Sequence, residues 1–178
     1  LDAALALSAD DPDALALKSI IASVRSQRQQ AIDLAQQALN ADPSSTTALL
    51  ALSYARQGNF QLSEALDAAE KATQTAPDNA LAWSRLAELQ LMFRRLGAAS
   101  ASAERAASIA PDLAQVQTTL GFARLIRLDL SEAQEAFKQA ARIDQAAPLP
   151  RLGLGLVLIR QGELAEGRRQ IELSLIHI

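Results

Sequence analysis

The sequence is poor in residues that could do chemistry. Its one histidine, His177, stands next to the last residue, so triads, imidazole acid–base pairs and histidine metal sites lack material. There is no cysteine, which removes disulfides and thiolate sites. Glu64, Glu132 and Glu166 fall at expected starts of helices. Negative charge there complements the free N–H groups of the first turn and stabilises by roughly 0.3–1 kcal/mol. Asp129 and Glu132 have capping-box spacing, with Asp in place of Ser or Thr. Gly153-x-Gly155 resembles a phosphate loop only superficially, because the third glycine and a preceding strand are missing. Arg94-Arg95 and Arg168-Arg169 carry charge suited to phosphate, but both read as solvated helix ends. Trp83 reads as core packing rather than a ligand platform. The expectation is of no enzyme: no catalytic, cofactor-binding or metal residues, and no cofactor.

The elements around these residues are helical. Hydrophobic residues make up 49% of the 178 while aromatics make up 3%, so alanine and leucine carry the apolar mass. Both form helices well, and the β-branched and aromatic residues that favour strands are scarce. Twenty acidic against 17 basic residues give a net charge of −3, which argues against a nucleic-acid surface. No apolar run approaches the roughly 20 residues of a membrane-crossing helix, so no membrane insertion by this segment is expected. Arginine outnumbers lysine by 14 to 3, a bias associated with GC-rich bacterial genomes.

Periodicity decides the architecture. Ala38-Leu-Asn-Ala-Asp-Pro43, Ala72-Thr-Gln-Thr-Ala-Pro77 and Ala106-Ala-Ser-Ile-Ala-Pro111 repeat at a spacing of 34. The same step lands on Ala9 upstream and Gln145 downstream with the surrounding frame intact. Two apolar periodic stretches in each unit flank a polar break, at Gly58-Asn59, Arg94-Arg95, Asp129 and Gln161-Gly162-Glu163. Short breaks between helices of this length predict antiparallel hairpins. Glycine after the first helix is a good stop, and proline ends the second. Unit two reads as trading a shorter first helix for a longer turn. Ser19, Ser53, Ala87, Gly121 and Gly155 form one small-residue column, and Ala31, Ala65, Ala99, Ala133 and Gly167 another. Close helix approach requires that smallness.

Trp83-x-x-Leu86-Ala87 with Ala99, Ala103, Ala106 and Pro111 resembles the tetratricopeptide repeat (TPR), as do Leu120-Gly121 with Ala133-x-x-x-Phe137-x-x-Ala140, and Leu154-Gly155. The likeness covers essentially the whole chain. It implies an all-α, right-handed superhelical solenoid of antiparallel helix hairpins. The family's aromatic near the end of the first helix is absent, replaced by Ala22, Arg56, Gln90, Arg124 and Leu158. Residues 1–11 read as the end of a preceding repeat. The array is expected over 12–172, in units 12–45, 46–79, 80–113, 114–147 and an incomplete 148–172. Residues 173–178 resemble a translated sequencing adapter, which predicts a non-native tail. Leu81-Ala-Trp-Ser-Arg-Leu-Ala-Glu-Leu, Gln117-Thr-Thr-Leu-Gly-Phe-Ala and Leu149-Pro-Arg-Leu-Gly-Leu-Gly-Leu are similar to bacterial arrays that accompany a FecR-type domain. That resemblance implies a periplasmic or cell-envelope setting.

By resemblance to the family, a protein or peptide partner would lie against first helices. One column there is Ile20, Tyr54, Glu88, Phe122 and Leu156. A second is Ser23, Gln57, Leu91, Leu125 and Ile159, and Leu50, Met92, Ile126 and Leu152 neighbour them. The columns are apolar beyond what packing needs, which implies a groove over units three to five for an apolar partner segment. A carboxylate clamp is not expected, because Ala16, Ile20, Leu50 and Tyr54 stand where its Lys and Asn would be. Two function classes stay open. One is a partner-binding scaffold; the other is a structural spacer or self-association module whose groove is filled internally.

Overall fold

The computed structural model describes residues 10–176, and of Ile176 the backbone only. Residues 1–9 of the expected preceding-repeat segment 1–11, and His177-Ile178 of the expected tail, therefore lie outside the described residues. Among the described residues there are ten α-helices and no strand. They are α1 (Pro12–Val24), α2 (Arg28–Ala41), α3 (Thr46–Gly58), α4 (Leu62–Thr75) and α5 (Ala80–Met92), followed by α6 (Leu96–Ile109), α7 (Ala114–Ile126), α8 (Leu130–Ile143), α9 (Pro148–Gln161) and α10 (Leu164–Ile176). None is long and apolar enough to cross a membrane.

Local chemistry sets the ends. Asp11, Ser45 and Asn79 accept hydrogen bonds from the backbone N–H three residues on, so side chains cap α1, α3 and α5. The equivalent Leu113 and Ala147 provide no such bond, and α9 relies on Pro148 at its first position. Pro43, Pro77 and Pro111 follow the last residues of α2, α4 and α6. The second helices α2, α4, α6 and α8 have no side-chain cap. This corrects the capping box at Asp129: its carboxylate pairs with Arg127 at 3.1 Å instead.

The turn residue falls within the expected breaks at Arg94 and Gly162 but not at Gly58-Asn59. Ser26, Phe60, Arg94, Leu128 and Gly162 all have positive φ, and they share one column of the 34-residue repeat. The chain reverses by placing one residue per hairpin in the left-handed region, where glycine is unstrained and other residues are not. Gly162 alone among the five is a glycine. Gly58, read as the turn glycine, is the last residue of α3. Unit two does not shorten its first helix: α3 has 13 residues, as do α1, α5 and α7.

The chain divides into two compact units, through Leu89 and from Gln90 onward, with α5 contributing to both. In the first unit, α1 packs on α2 and α3, and α2 on α3. Leu15, Ala16, Ala35, Ala38, Ala48 and Ala51 form a core cluster in which alanine lets the backbones approach. Ser19 and Ser53 are fully buried and donate to the carbonyls of Ala31 and Ala65, at 2.7 and 2.9 Å. The two small-residue columns thus meet across the first two hairpins. In the second unit α8 packs on α7 and α9, and α9 on α10. A Cβ on Gly155 would stand 2.7 Å from the Gly167 carbonyl oxygen. A Cβ on Gly153 or Gly121 would lie 2.3 or 2.6 Å from the ring of fully buried Phe137. Both glycines of Gly153-x-Gly155 are therefore helical packing positions, which accounts for the pattern without a phosphate.

Candidate protein-interaction surface

The first helices present a repeated exposed column. Val24, Gly58, Met92, Ile126 and Arg160 are equivalent by the 34-residue step, and every one is exposed. Because exposure recurs at each copy, it follows from the hairpin geometry. In the second unit it leaves Met92 49% and Ile126 46% exposed. Leu152 is half-buried and Leu156 exposed on α9, and half-buried Phe122 on α7 meets Phe137 edge to face at 4.9 Å. In the first unit Leu50, Tyr54 and Glu88 are half-buried.

The second expected column is buried at Leu125, half-buried at Ser23, Gln57 and Leu91, and exposed at Ile159. Leu125, 9% exposed, joins a core cluster with Ala133, Phe137 and Val157. Its side chain fills the seam between α7 and the next hairpin. Leu91 is half-buried, and Ile159, in the same column, is exposed on α9. A first helix packs both on its own partner and on the following first helix, so one side of its apolar stripe is consumed by the repeat.

The first unit holds a polar cluster around Arg85. Arg85 is 2% exposed. Its guanidinium donates to Ser53 Oγ at 2.9 Å, to the Ser53 carbonyl at 3.1 Å and to Glu88 Oε2 at 3.1 Å. It also lies 3.9 Å from the centre of the Tyr54 ring, a cation–π contact. Tyr54 and Glu88, two members of one expected column, are thereby tied to one buried charge. The signal was present in sequence: Arg85 stands in a column otherwise held by Leu17, Ala51, Thr119 and Gly153.

Trp83 has a second duty beside packing on the core of its unit. Its indole N–H donates to the Pro77 carbonyl at 2.9 Å. Gln117, one repeat later, donates to the Pro111 carbonyl at 2.8 Å, and Arg151 reaches the Gln145 carbonyl at 3.4 Å. Each bond spans six residues and ties a first helix to its preceding junction. The column where the expected aromatic is absent holds buried apolar Ala22 and Leu158 and, at its other three positions, polar bridges. Arg56 donates to Gln61, Gln90 accepts from Ser102, and Arg124 donates to the Glu132 carbonyl.

The remaining charged candidates stand at helix starts, in a turn or in local pairs. Glu64, Glu132 and Glu166 lie in first turns of α4, α8 and α10. Arg169 and Gln170 donate to Glu166 and hold its carboxyl below the usual glutamate range, Arg169 contributing most. Arg168 pairs with Glu172 at 2.7 Å. Arg94 occupies the left-handed turn position and Arg95 lies over the Phe93 ring. Among the described residues no group of His, Asp or Glu is arranged to hold a metal.

Repeated hairpins, small-residue seams and side-chain ties at the junctions define an all-helical repeat architecture of the tetratricopeptide type. Solved structures of TPR proteins share it. The thermophilic TPR protein TTC0263 of Thermus thermophilus matches with a TM-score of 0.82 at 18% identity, over 93% of this chain and 91% of that one. The pilF protein of Pseudomonas aeruginosa matches with a TM-score of 0.77 at 22% identity, over 94% of this chain and 77% of that one. YrrB, described as a TPR protein with an unusual peptide-binding site, matches with a TM-score of 0.62 at 16% identity, over 99% and 91%. No family model matches the sequence, and no curated protein does.

Proposed function

We propose that the chain is a protein–protein interaction scaffold that binds a partner peptide or helix against its first helices and performs no chemistry of its own. The observation that carries this reading is the exposed column. Met92 and Ile126 are large, apolar and exposed at a position open in every hairpin. Exposed apolar side chains grouped in this way usually mark an interaction site. Leu152, Leu156 and half-buried Phe122 extend the face in the second unit, and YrrB provides a precedent for peptide binding on this fold. Leu50, Tyr54 and Glu88 form a smaller face of their own in the first unit. Leu125 contributes to the core beneath the surface, with Leu91 and Ile159 beside the seam. The setting proposed is a bacterial envelope protein of the FecR-associated kind, on the strength of the sequence resemblance alone.

The test is affinity capture from the source cells with the native chain and its Ile126→Asp, Leu156→Asp variant. Both positions are exposed, so the variant keeps the native helix content, which circular dichroism checks. Loss of a captured protein with the variant supports the scaffold. Capture of the same set by both, or of nothing by either, overturns it in favour of a structural spacer.

A further inference from the structure

The interaction face of the second unit is distinguished by its charge as well as by its exposure. Helices α7 and α9 contain three arginines, Arg124, Arg151 and Arg160, and no carboxylate. Every carboxylate between residues 90 and 178 stands on α6, α8 or α10 or in a connecting loop. Two of the three arginines are committed to the fold. Arg124 donates to the Glu132 carbonyl at 3.3 Å. Arg151 reaches the Gln145 carbonyl, and its buried Nε has no partner. Arg160 is exposed and has no hydrogen bond or ion pair among the described residues. It falls four residues after Leu156, one turn along the same side of α9, and in the same column as Met92 and Ile126. Leu149, Leu152, Leu156 and Arg160 therefore read as an apolar stripe ending on a free guanidinium.

The charge balance of the chain has the same sense. Residues 90–178 contain 11 Lys and Arg against 9 Asp and Glu, hence +2. Residues 1–89 contain 6 against 11, hence −5. We infer that the α7–α9 face selects an acidic amphipathic segment of a partner protein: apolar on the side it buries, with a carboxylate placed to meet Arg160. The inference rests on the scaffold reading above and adds the chemistry of the partner. A guanidinium is weakly hydrated and forks to both oxygens of a carboxylate, so it can pair at the rim of an apolar patch. A basic segment would meet the like charge of Arg160 and no counter-charge on these helices, which disfavours it.

A library of random 16-residue peptides displayed on phage and selected on the full chain tests this whichever protein the partner is. Enriched peptides should be net acidic, with apolar residues at helical spacing. A synthetic copy of one should bind about fivefold more weakly to Arg160→Glu, as expected for reversing one exposed charge. Arg105→Glu, a reversal at an exposed position on α6, should leave its affinity unchanged. Neutral or basic winners that are lost with the Ile126→Asp, Leu156→Asp variant would overturn the charge inference while leaving the scaffold standing. Equal effects of Arg160→Glu and Arg105→Glu would overturn it too. Absence of any enrichment would remove both readings. Concentration-dependent dimerisation of the native chain, abolished by Arg160→Glu, would assign the face to the acidic half of a second copy and overturn the separate-partner inference.

Discussion

Gly58 and Gly162 should respond to alanine with opposite signs. Neither has an atom within 4 Å of where a Cβ would stand, so crowding contributes nothing at either position. The backbone alone distinguishes them. Gly58 is helical, at the end of α3, whereas Gly162 has φ of 91°. Alanine at a helical glycine stabilises by up to about 1 kcal/mol, less at a helix end, so about 0.5–1 kcal/mol is expected for Gly58→Ala. At Gly162 a left-handed L-residue costs about 1–2 kcal/mol. Stiffening the unfolded chain returns about 0.4–1 kcal/mol of that. Gly162→Ala should therefore destabilise by about 0.5–1 kcal/mol, leaving the two variants about 1–2 kcal/mol apart. Thermal unfolding should separate them by about 2–8 °C, Gly58→Ala the higher. Urea unfolding with an unchanged slope would show that stability changed without a change in the surface exposed on unfolding. If both substitutions shifted stability in one direction, or if Gly58→Ala were the damaging one, the column at 26, 60, 94, 128 and 162 would not be the turn.

Ser26→Gly, at the same turn column with φ of 60°, should stabilise by about 0.5 kcal/mol, because relief of the left-handed conformation slightly exceeds the entropy cost of glycine; urea unfolding reads it. Gly153→Ala should destabilise by about 1–3 kcal/mol, since the new Cβ meets the Phe137 ring at 2.3 Å, and Gly153→Ala with Phe137→Leu should recover part of that loss in a double-mutant cycle. Ser53→Ala should cost about 2 kcal/mol and Ser19→Ala about 1 kcal/mol in denaturant unfolding. Both lose a buried bond to a carbonyl, but Ser53 also accepts from the Arg85 guanidinium. Glu166 should titrate below an ordinary glutamate in an NMR pH series, and Arg169→Ala should raise its midpoint. Because its folded-state pKa is lowered, any stabilisation it provides is present above the unfolded value. That stabilisation is lost as pH falls through the folded one.

Much of the fold was legible because a hairpin repeat writes its packing into columns. Ser19 with Ala31 and Gly155 with Gly167 show why small residues recur: each pair is a place where two backbones touch. The turn was misread at Gly58 because sequence favours glycine where φ is positive, while here Phe60, Arg94 and Leu128 accept the strained conformation within an otherwise fixed hairpin. Asp129 shares the uncapped start of α2, α4 and α6, and its carboxylate pairs with Arg127, two residues away. The face was half legible. Periodicity places Leu125 and Ile126 on the same helix end but does not say which neighbours the following hairpin. Arg85 stands out in its column by residue type, but its burial was not legible, because that depends on Ser53 and Glu88 lying within reach in three dimensions.

The bond from the first helix to the preceding junction has a consequence for how such chains change over time. Trp83, Gln117 and Arg151 share little in size, charge or hydrophobicity, yet each directs an N–H at the carbonyl six residues earlier. At these three junctions the bond needs a donor of sufficient reach, whatever carries it, whereas Leu15 and Leu49 in the same column fill the position with buried apolar side chains. Substitution at this position can therefore wander among aromatic, amide and guanidinium side chains while the junction itself holds. Lineages of the same architecture would then lose their recognisable letters long before they lose their shape.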